Sequence, residues 1–217
     1  MAAGRRDRGA VLRAVPLALT ALRALLAPVV VALALVAPSR PALGACLVVA
    51  FLSDLFDGIV ARWLGVATPA LRRLDSAADT LFYVAATFAA WHLHPDAIRR
   101  RAALLGALVT LELARYAFDA WKFRREASYH MWSSKLWGLA LFAGFLALLG
   151  FDADGVLVDL AVLAGIVADL EGLAISVVMP RWQSDVPTIV HAWRLRRSAR
   201  DLDPGADIDG RDPSKRT

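Results

Sequence analysis

Six long apolar stretches, at about residues 14–37, 42–64, 71–91, 97–118, 132–149 and 156–179, constrain the fold of this chain more than any other feature. Wound as helices that rise about 1.5 Å per residue, each reaches roughly the 30 Å thickness of a bilayer's hydrocarbon core. A backbone in lipid must satisfy its own hydrogen bonds, and runs of this length do so as helices. Hydrophobic residues make up 58% of the 217, mean hydropathy is +0.51, and the 21% of charged residues collect between the runs. The pattern predicts an all-α fold: a six-transmembrane-helix bundle with a short N-terminal surface segment and a polar C-terminal tail. Residues 1–13 read as a basic arm or surface helix, 14–180 as the six-span domain, and 181–217 as a partly disordered cytoplasmic tail. The basic start before an apolar run resembles a signal peptide, but the run is too long and carries Thr20 and Arg23 inside it.

Lysine and arginine are dense at the N-terminus, between runs two and three, between runs four and five, and in the tail. The positive-inside rule therefore places these parts in the cytoplasm, with both termini on one side. Arg99, Arg100 and Arg101 run against this, because they fall in a loop assigned to the outside. Trp63, Trp91, Trp121, Trp132 and Trp182 stand near the ends of runs, as an aromatic belt requires. The single cysteine, Cys46, sits in an apolar run, which excludes an intrachain disulfide and leaves packing as its role. The net charge of +5 is accounted for by orientation in the membrane, and no nucleic-acid motif accompanies it. In the tail, residues 201–210 lack the terminal glutamate of a calcium loop and read as disordered.

Four carboxylates lie at the ends of two of the apolar runs. Asp54, Asp57, Gly58, Ala61 and Arg62 fall at i, i+3, i+4, i+7 and i+8, one face of a helix, and Asp75 and Asp79 share a face of the next. A charge well inside a bilayer costs about 2.5–3.5 kcal/mol on insertion scales, so such groups are paired, hydrated or functional. Two facing helices would aim all four carboxylates at one point, where they repel one another unless cations are bound. All-oxygen ligands suit hard ions such as Mg2+ or Mn2+. The competing interpretation is a polar helix seam held by ion pairs, against which Arg62 alone is too little charge to compensate four aspartates.

The stretch from Asp54 to Asp79 closely resembles the signature of the CDP-alcohol phosphotransferases, D-x2-D-G-x2-A-R-x8-G-x3-D-x3-D, integral membrane enzymes of phospholipid synthesis. Seven of its eight fixed residues match at the correct spacing, and Leu71 replaces the second glycine. The first run resembles a family stretch of the form Pro-Asn-x-Leu-Thr-x-x-Arg: Pro16, Leu19, Thr20 and Arg23 match, and Leu17 replaces the asparagine.

The resemblance implies transfer of a phosphatidyl-type group from a CDP-linked donor, typically CDP-diacylglycerol, to an alcohol, with release of CMP. It implies a two-ion Mg2+ or Mn2+ site ligated by Asp54, Asp57, Asp75 and Asp79, with Asp79 also the catalytic base. Gly58, Ala61 and Arg62 would bind the nucleotide. Arg23 would face the donor phosphates or pair with one of the aspartates. A phosphorylated acceptor, glycerol 3-phosphate first, would need cations, and Arg115 and Lys135 are the candidates; for Arg115 the alternative is a pair with Glu112, three residues before it. The family orientation opens the site to the cytoplasm, and homodimers are common in it. A cation transporter using the same aspartates, and a degenerate member disabled at Leu71, are the alternatives, separated from the transferase by CMP release.

Overall fold

The computed structural model describes residues 3–65, 68–124, 131–179, 188–191 and 193, with side chains from Val15 onward except Pro69 and Arg72. Every element among them is helical: α1 (Ala3–Val36), α2 (Arg40–Trp63), α3 (Pro69–Leu93), the short α4 (Pro95–Arg100), α5 (Ala102–Phe123), α6 (Trp132–Phe145) with a π-helical turn over Leu146–Gly150, and α7 (Val156–Val178). Among the described residues, four segments are long and apolar enough to cross a membrane: Val15–Val36, Arg40–Trp63, Trp132–Gly150 and Val156–Val178. α3 and α5 have comparable lengths, but charges interrupt their apolar character, Asp75 and Asp79 in one and Glu112, Arg115, Asp119 and Lys122 in the other. Large apolar side chains such as Leu25, Val84, Leu113 and Val167 are exposed, as lipid-facing residues are. Trp63, Trp91, Trp121 and Trp132 are exposed near helix ends, while Trp182 lies outside the described residues.

Helix ends follow from local chemistry. Pro41 occupies the first turn of α2, where its missing N–H costs nothing. Gly65 adopts φ +65° just past α2, the left-handed position that only glycine takes freely, and its N–H closes on the Arg62 carbonyl at 3.2 Å. Thr68 caps α3 by accepting the Leu71 N–H at 3.2 Å, with Pro69 at the first helical position. α1 continues through Pro16 and Pro28 without a break, and the part of it apolar enough to cross a membrane begins at Val15. The fourth run is divided: α4 ends at Arg100 and α5 starts at Ala102, later than the 97–118 reading of the sequence.

The chain forms two compact units, Met1–Arg100 with Phe142–Val158, and Arg101–Leu141 with Asp159–Thr217. In the first, α1 packs against both α2 and α3, which touch each other far less. The buried face of α1 is Pro16, Thr20, Arg23, Ala27, Val30 and Ala34, a regular helical stripe. Leu43, Leu47, Ala50, Ser53, Asp57 and Ala61 form the matching face of α2, and Ala78, Phe82, Ala85, Ala86, Ala89 and Ala90 that of α3. Alanine on these faces lets the backbones approach closely, which in lipid substitutes for a hydrophobic driving force. The same three faces are apolar at one end and polar at the other, so the fold gathers the site residues at one end of the α1–α2–α3 interface. Gly44 and Gly150 bring α2 and the π-turn into backbone contact, since a Cβ on Gly150 would stand 3.3 Å from the Gly44 Cα.

In the second unit α5 and α7 run side by side, with Gly165 beside Leu108 and Gly172 beside Arg115. Trp137 of α6 also lies against Gly165. The polar segment 125–130, Pro180, the 201–210 stretch and most of the amphipathic helix expected over 186–195 lie outside the described residues, of which 189–191 and 193 are helical.

Candidate active site

The four signature aspartates do converge, and they converge on Arg23. Because α1 is interposed between α2 and α3, its buried arginine reaches Asp54 and Asp57 on one side and Asp75 and Asp79 on the other. The guanidinium Nη2 donates to Asp57 Oδ2 at 2.6 Å, and Nη1 donates to Asp75 Oδ1 at 3.0 Å and to Asp79. Asp54 Oδ1 stands 3.2 Å from the same Nη1. Nε points at Ser53 Oγ, 3.5 Å away, while the Ser53 hydroxyl donates to the Ala50 carbonyl at 2.7 Å. Thr20, one turn before Arg23, donates to the Pro16 carbonyl at 3.1 Å. Of the two expectations for Arg23, the structure displays the ion pair, and with all four aspartates. The compensating cation is therefore Arg23 and not Arg62.

The aspartates are not equivalent. Asp57 is the deepest, its side chain 5% exposed, whereas Asp54 is 48% and Asp79 33% exposed. One carboxylate oxygen from each of Asp54, Asp57 and Asp75 falls within 4.8 Å of the other two, a set that can hold a metal ion. Asp79 stands outside that triad and joins it through Arg23. Beside the cluster lies a small recess lined by Arg23, Asp54 and Asp79 together with Phe51, Tyr83 and Phe142. Phe51 and Phe142 stack there at 4.2 Å between ring centroids, an apolar boundary to a charged site.

Gly58, Ala61 and Arg62 follow the aspartates on α2. Ala61 is buried, Arg62 is exposed, and the Arg62 guanidinium lies over Gly58, with Nη1 at 3.4 Å from where a Cβ would be. Leu17, the departure in the first-helix stretch, is exposed and off the buried face. Leu71, the departure in the main signature, is a half-buried residue of the first turn of α3, one turn before Asp75. Its backbone N–H is already committed to Thr68. Leu71→Gly is therefore expected to change nucleotide affinity by no more than about tenfold and leave the maximal rate within about twofold, checked by CDP binding and saturation kinetics.

Arg115 and Lys135 belong to the second unit. Arg115 does not pair with Glu112 as its spacing allowed; its Nε lies 3.1 Å from Asp169 Oδ1 on α7, and Gly172 leaves room for its stem. Lys135 is exposed, its ammonium 4.6 Å from the centre of the Trp132 ring. Glu171 accepts the Ile189 N–H at 3.4 Å. Asp169 escaped the reading of the sequence, although a carboxylate inside a long apolar run is itself a signal. Ser53, Tyr83 and Phe142 carried no such signal, because their place at the site depends on helix packing.

A protein-family model described as CDP-alcohol phosphatidyltransferase matches residues 13–178, which include all four aspartates, Arg23 and the whole α1–α2–α3 interface around them. Comparison with curated proteins and with solved structures returns no match. Members of that family are membrane transferases that move a phosphate group from a CDP-alcohol, generally with a divalent metal ion. On the extent of the match, the chain belongs to the CDP-alcohol phosphatidyltransferase family.

Proposed function

We propose that the protein is a phospholipid-synthesising enzyme that moves the phosphatidyl group of CDP-diacylglycerol to the hydroxyl of a small alcohol, glycerol 3-phosphate first among them, and releases CMP. The observation that carries this reading is the meeting of Asp54, Asp57, Asp75 and Asp79 at one point within the family-matched span. The donor set fits the ion the family uses: the oxygens are anionic and close together, and a cation, the Arg23 guanidinium, already sits among them. Asp54, Asp57 and Asp75 would hold Mg2+ or Mn2+, with Asp79 completing a two-ion site. Bound there, such ions supply Lewis-acid polarisation of the phosphoryl group and neutralise charge on the departing CMP.

The residues of the chain take the remaining roles. Asp57, the most enclosed, fixes the cluster, and Asp79, at its more open side, receives the proton of the acceptor hydroxyl. The hydroxyl oxygen forms a bond to the phosphatidyl phosphorus as the bond from that phosphorus to the bridging oxygen of CMP breaks. Gly58 and Ala61 leave space for the cytidine, and Arg62, exposed above Gly58, contacts the nucleotide. Lys135 and Arg115 are the proposed contacts of an acceptor phosphate; Lys135 is the freer, since Arg115 is engaged by Asp169.

In this reading α3 and α5 complete six spans, the transferase occupies residues 14–180, and the site and both termini face the cytoplasm. The arginines that ran against this orientation have partners: Arg99 with Asp96 at 3.0 Å, Arg100 with Asp154, and Arg101 with Asp159 at 2.6 Å. A homodimer follows from the family resemblance.

The test is an acceptor panel: protein in lipid nanodiscs with CDP-diacylglycerol, Mg2+, and glycerol 3-phosphate, inositol phosphate, serine or inositol. CMP release fastest with glycerol 3-phosphate is the expected result. Turnover with an uncharged polyol alone overturns the phosphorylated acceptor, and release with none of them overturns the transferase.

A further inference from the structure

Arg23 is the least expected member of the site, and its geometry gives it a second occupation. A guanidinium carries five N–H donors in a planar fork. Here Nη1 spends both of its protons on Asp75 and Asp79, Nη2 spends one on Asp57, and Nε faces Ser53, so the fork is almost fully used on the site itself. The side chain is 2% exposed and its charge lies among four carboxylates from two different helices. One positive charge against four negative ones leaves the cluster with a strong residual pull on cations. Two divalent ions would cancel the four carboxylates completely, and Arg23 would then be a surplus positive charge held against the same oxygens the ions require. Guanidinium and metal compete for those oxygens and, as like charges at close range, repel each other. An anion that could take the released guanidinium is the pyrophosphate of the donor nucleotide, whose paired oxygens match the fork.

We propose that Arg23 is an exchangeable counter-cation: it holds the carboxylates of α2 and α3 together when metal is chelated, and gives them up to divalent ions in order to clamp the donor pyrophosphate. This rests on the reading of the aspartates as the metal site. It makes metal binding and nucleotide binding cooperative through one side chain. Divalent ions must compete with Arg23 when they bind alone, and bind more readily when a pyrophosphate draws Arg23 away. The α1–α2–α3 interface then never exposes four unscreened carboxylates to one another.

The test uses the full-length protein in nanodiscs, with Mn2+ binding read from the electron paramagnetic resonance of the free ion, CDP binding at saturating Mn2+, and thermal unfolding in EDTA and in Mn2+. Arg23→Gln is expected to bind Mn2+ about tenfold more tightly than wild type without nucleotide, and CDP about tenfold more weakly once Mn2+ is saturating. Its melting temperature should fall in EDTA and recover on adding Mn2+. A purely structural arginine would not move the two affinities in opposite directions.

Unchanged or weaker Mn2+ binding by Arg23→Gln overturns the counter-cation role. Tighter Mn2+ with unchanged CDP affinity overturns the handover to the pyrophosphate. Asp57→Asn is the control that separates this from the site reading: if wild type and Asp57→Asn bind Mn2+ alike, the metal site itself falls, and the proposal with it. Should Arg23→Gln not be recoverable even when purified in Mn2+, Arg23→Lys carries the test. Its single ammonium cannot span four carboxylates, so Mn2+ affinity should rise about threefold, and no rise overturns the proposal.

Discussion

Asp57→Asn is expected to lower CMP release at least about a thousandfold, equivalent to about 4 kcal/mol of transition-state stabilisation. Asp57 is the most enclosed of the four carboxylates and the one whose contact with Arg23 is 2.6 Å. Asparagine keeps its size and one oxygen but not its charge, so a hard cation loses an anionic ligand at the deepest point of the site. The loss should not be one of folding. Arg23 keeps three other carboxylates, and removing one of four like charges relieves their repulsion. Thermal unfolding in EDTA should therefore place the variant within a few degrees of wild type while its Mg2+-dependent turnover is gone. Near-normal turnover in this variant would remove Asp57 from the site.

Asp79→Asn should separate chemistry from binding. Asp79 stands outside the Asp54–Asp57–Asp75 triad and is a third exposed, placing it where an acceptor hydroxyl can reach it. Losing a general base costs about 10²–10⁴ in rate. Mn2+ and CDP should still bind within about tenfold of wild type, because the triad is intact and a tenfold change is only about 1.4 kcal/mol. Turnover lost together with Mn2+ binding would instead make Asp79 a ligand as indispensable as Asp57.

The helices were legible in the sequence because each is a long apolar run closed by turn chemistry. α2 and α3 begin and end within a few residues of the stretches read at 42–64 and 71–91. The break at residue 101 was not legible. No glycine or second proline marks it, and Arg101 itself is held by Asp159, nearly sixty residues away, a contact no local pattern announces. The aspartates were legible for the opposite reason: their spacing is helical and their charge has no other place in an apolar run. What the spacing did not contain was the helix between them. Arg23 carries the right motif position, but choosing between donor phosphate and aspartate partners required knowing that α1 packs between α2 and α3. The same holds for Arg115, whose nearby Glu112 looked a sufficient partner until the parallel packing of α5 and α7 set Asp169 beside it. Sequence separation explains these misses.

The measurement that bears most directly on the site is CMP release from CDP-diacylglycerol by wild type and Asp57→Asn side by side, each titrated with Mg2+ from an EDTA-treated sample in the presence of glycerol 3-phosphate. The expected result is a saturable rise in release for wild type, abolished by chelation and restored by Mg2+ or Mn2+, with no rise for Asp57→Asn. Release that persists in EDTA, or that responds to Mg2+ equally in both proteins, would contradict a cation-dependent transferase built on these four aspartates.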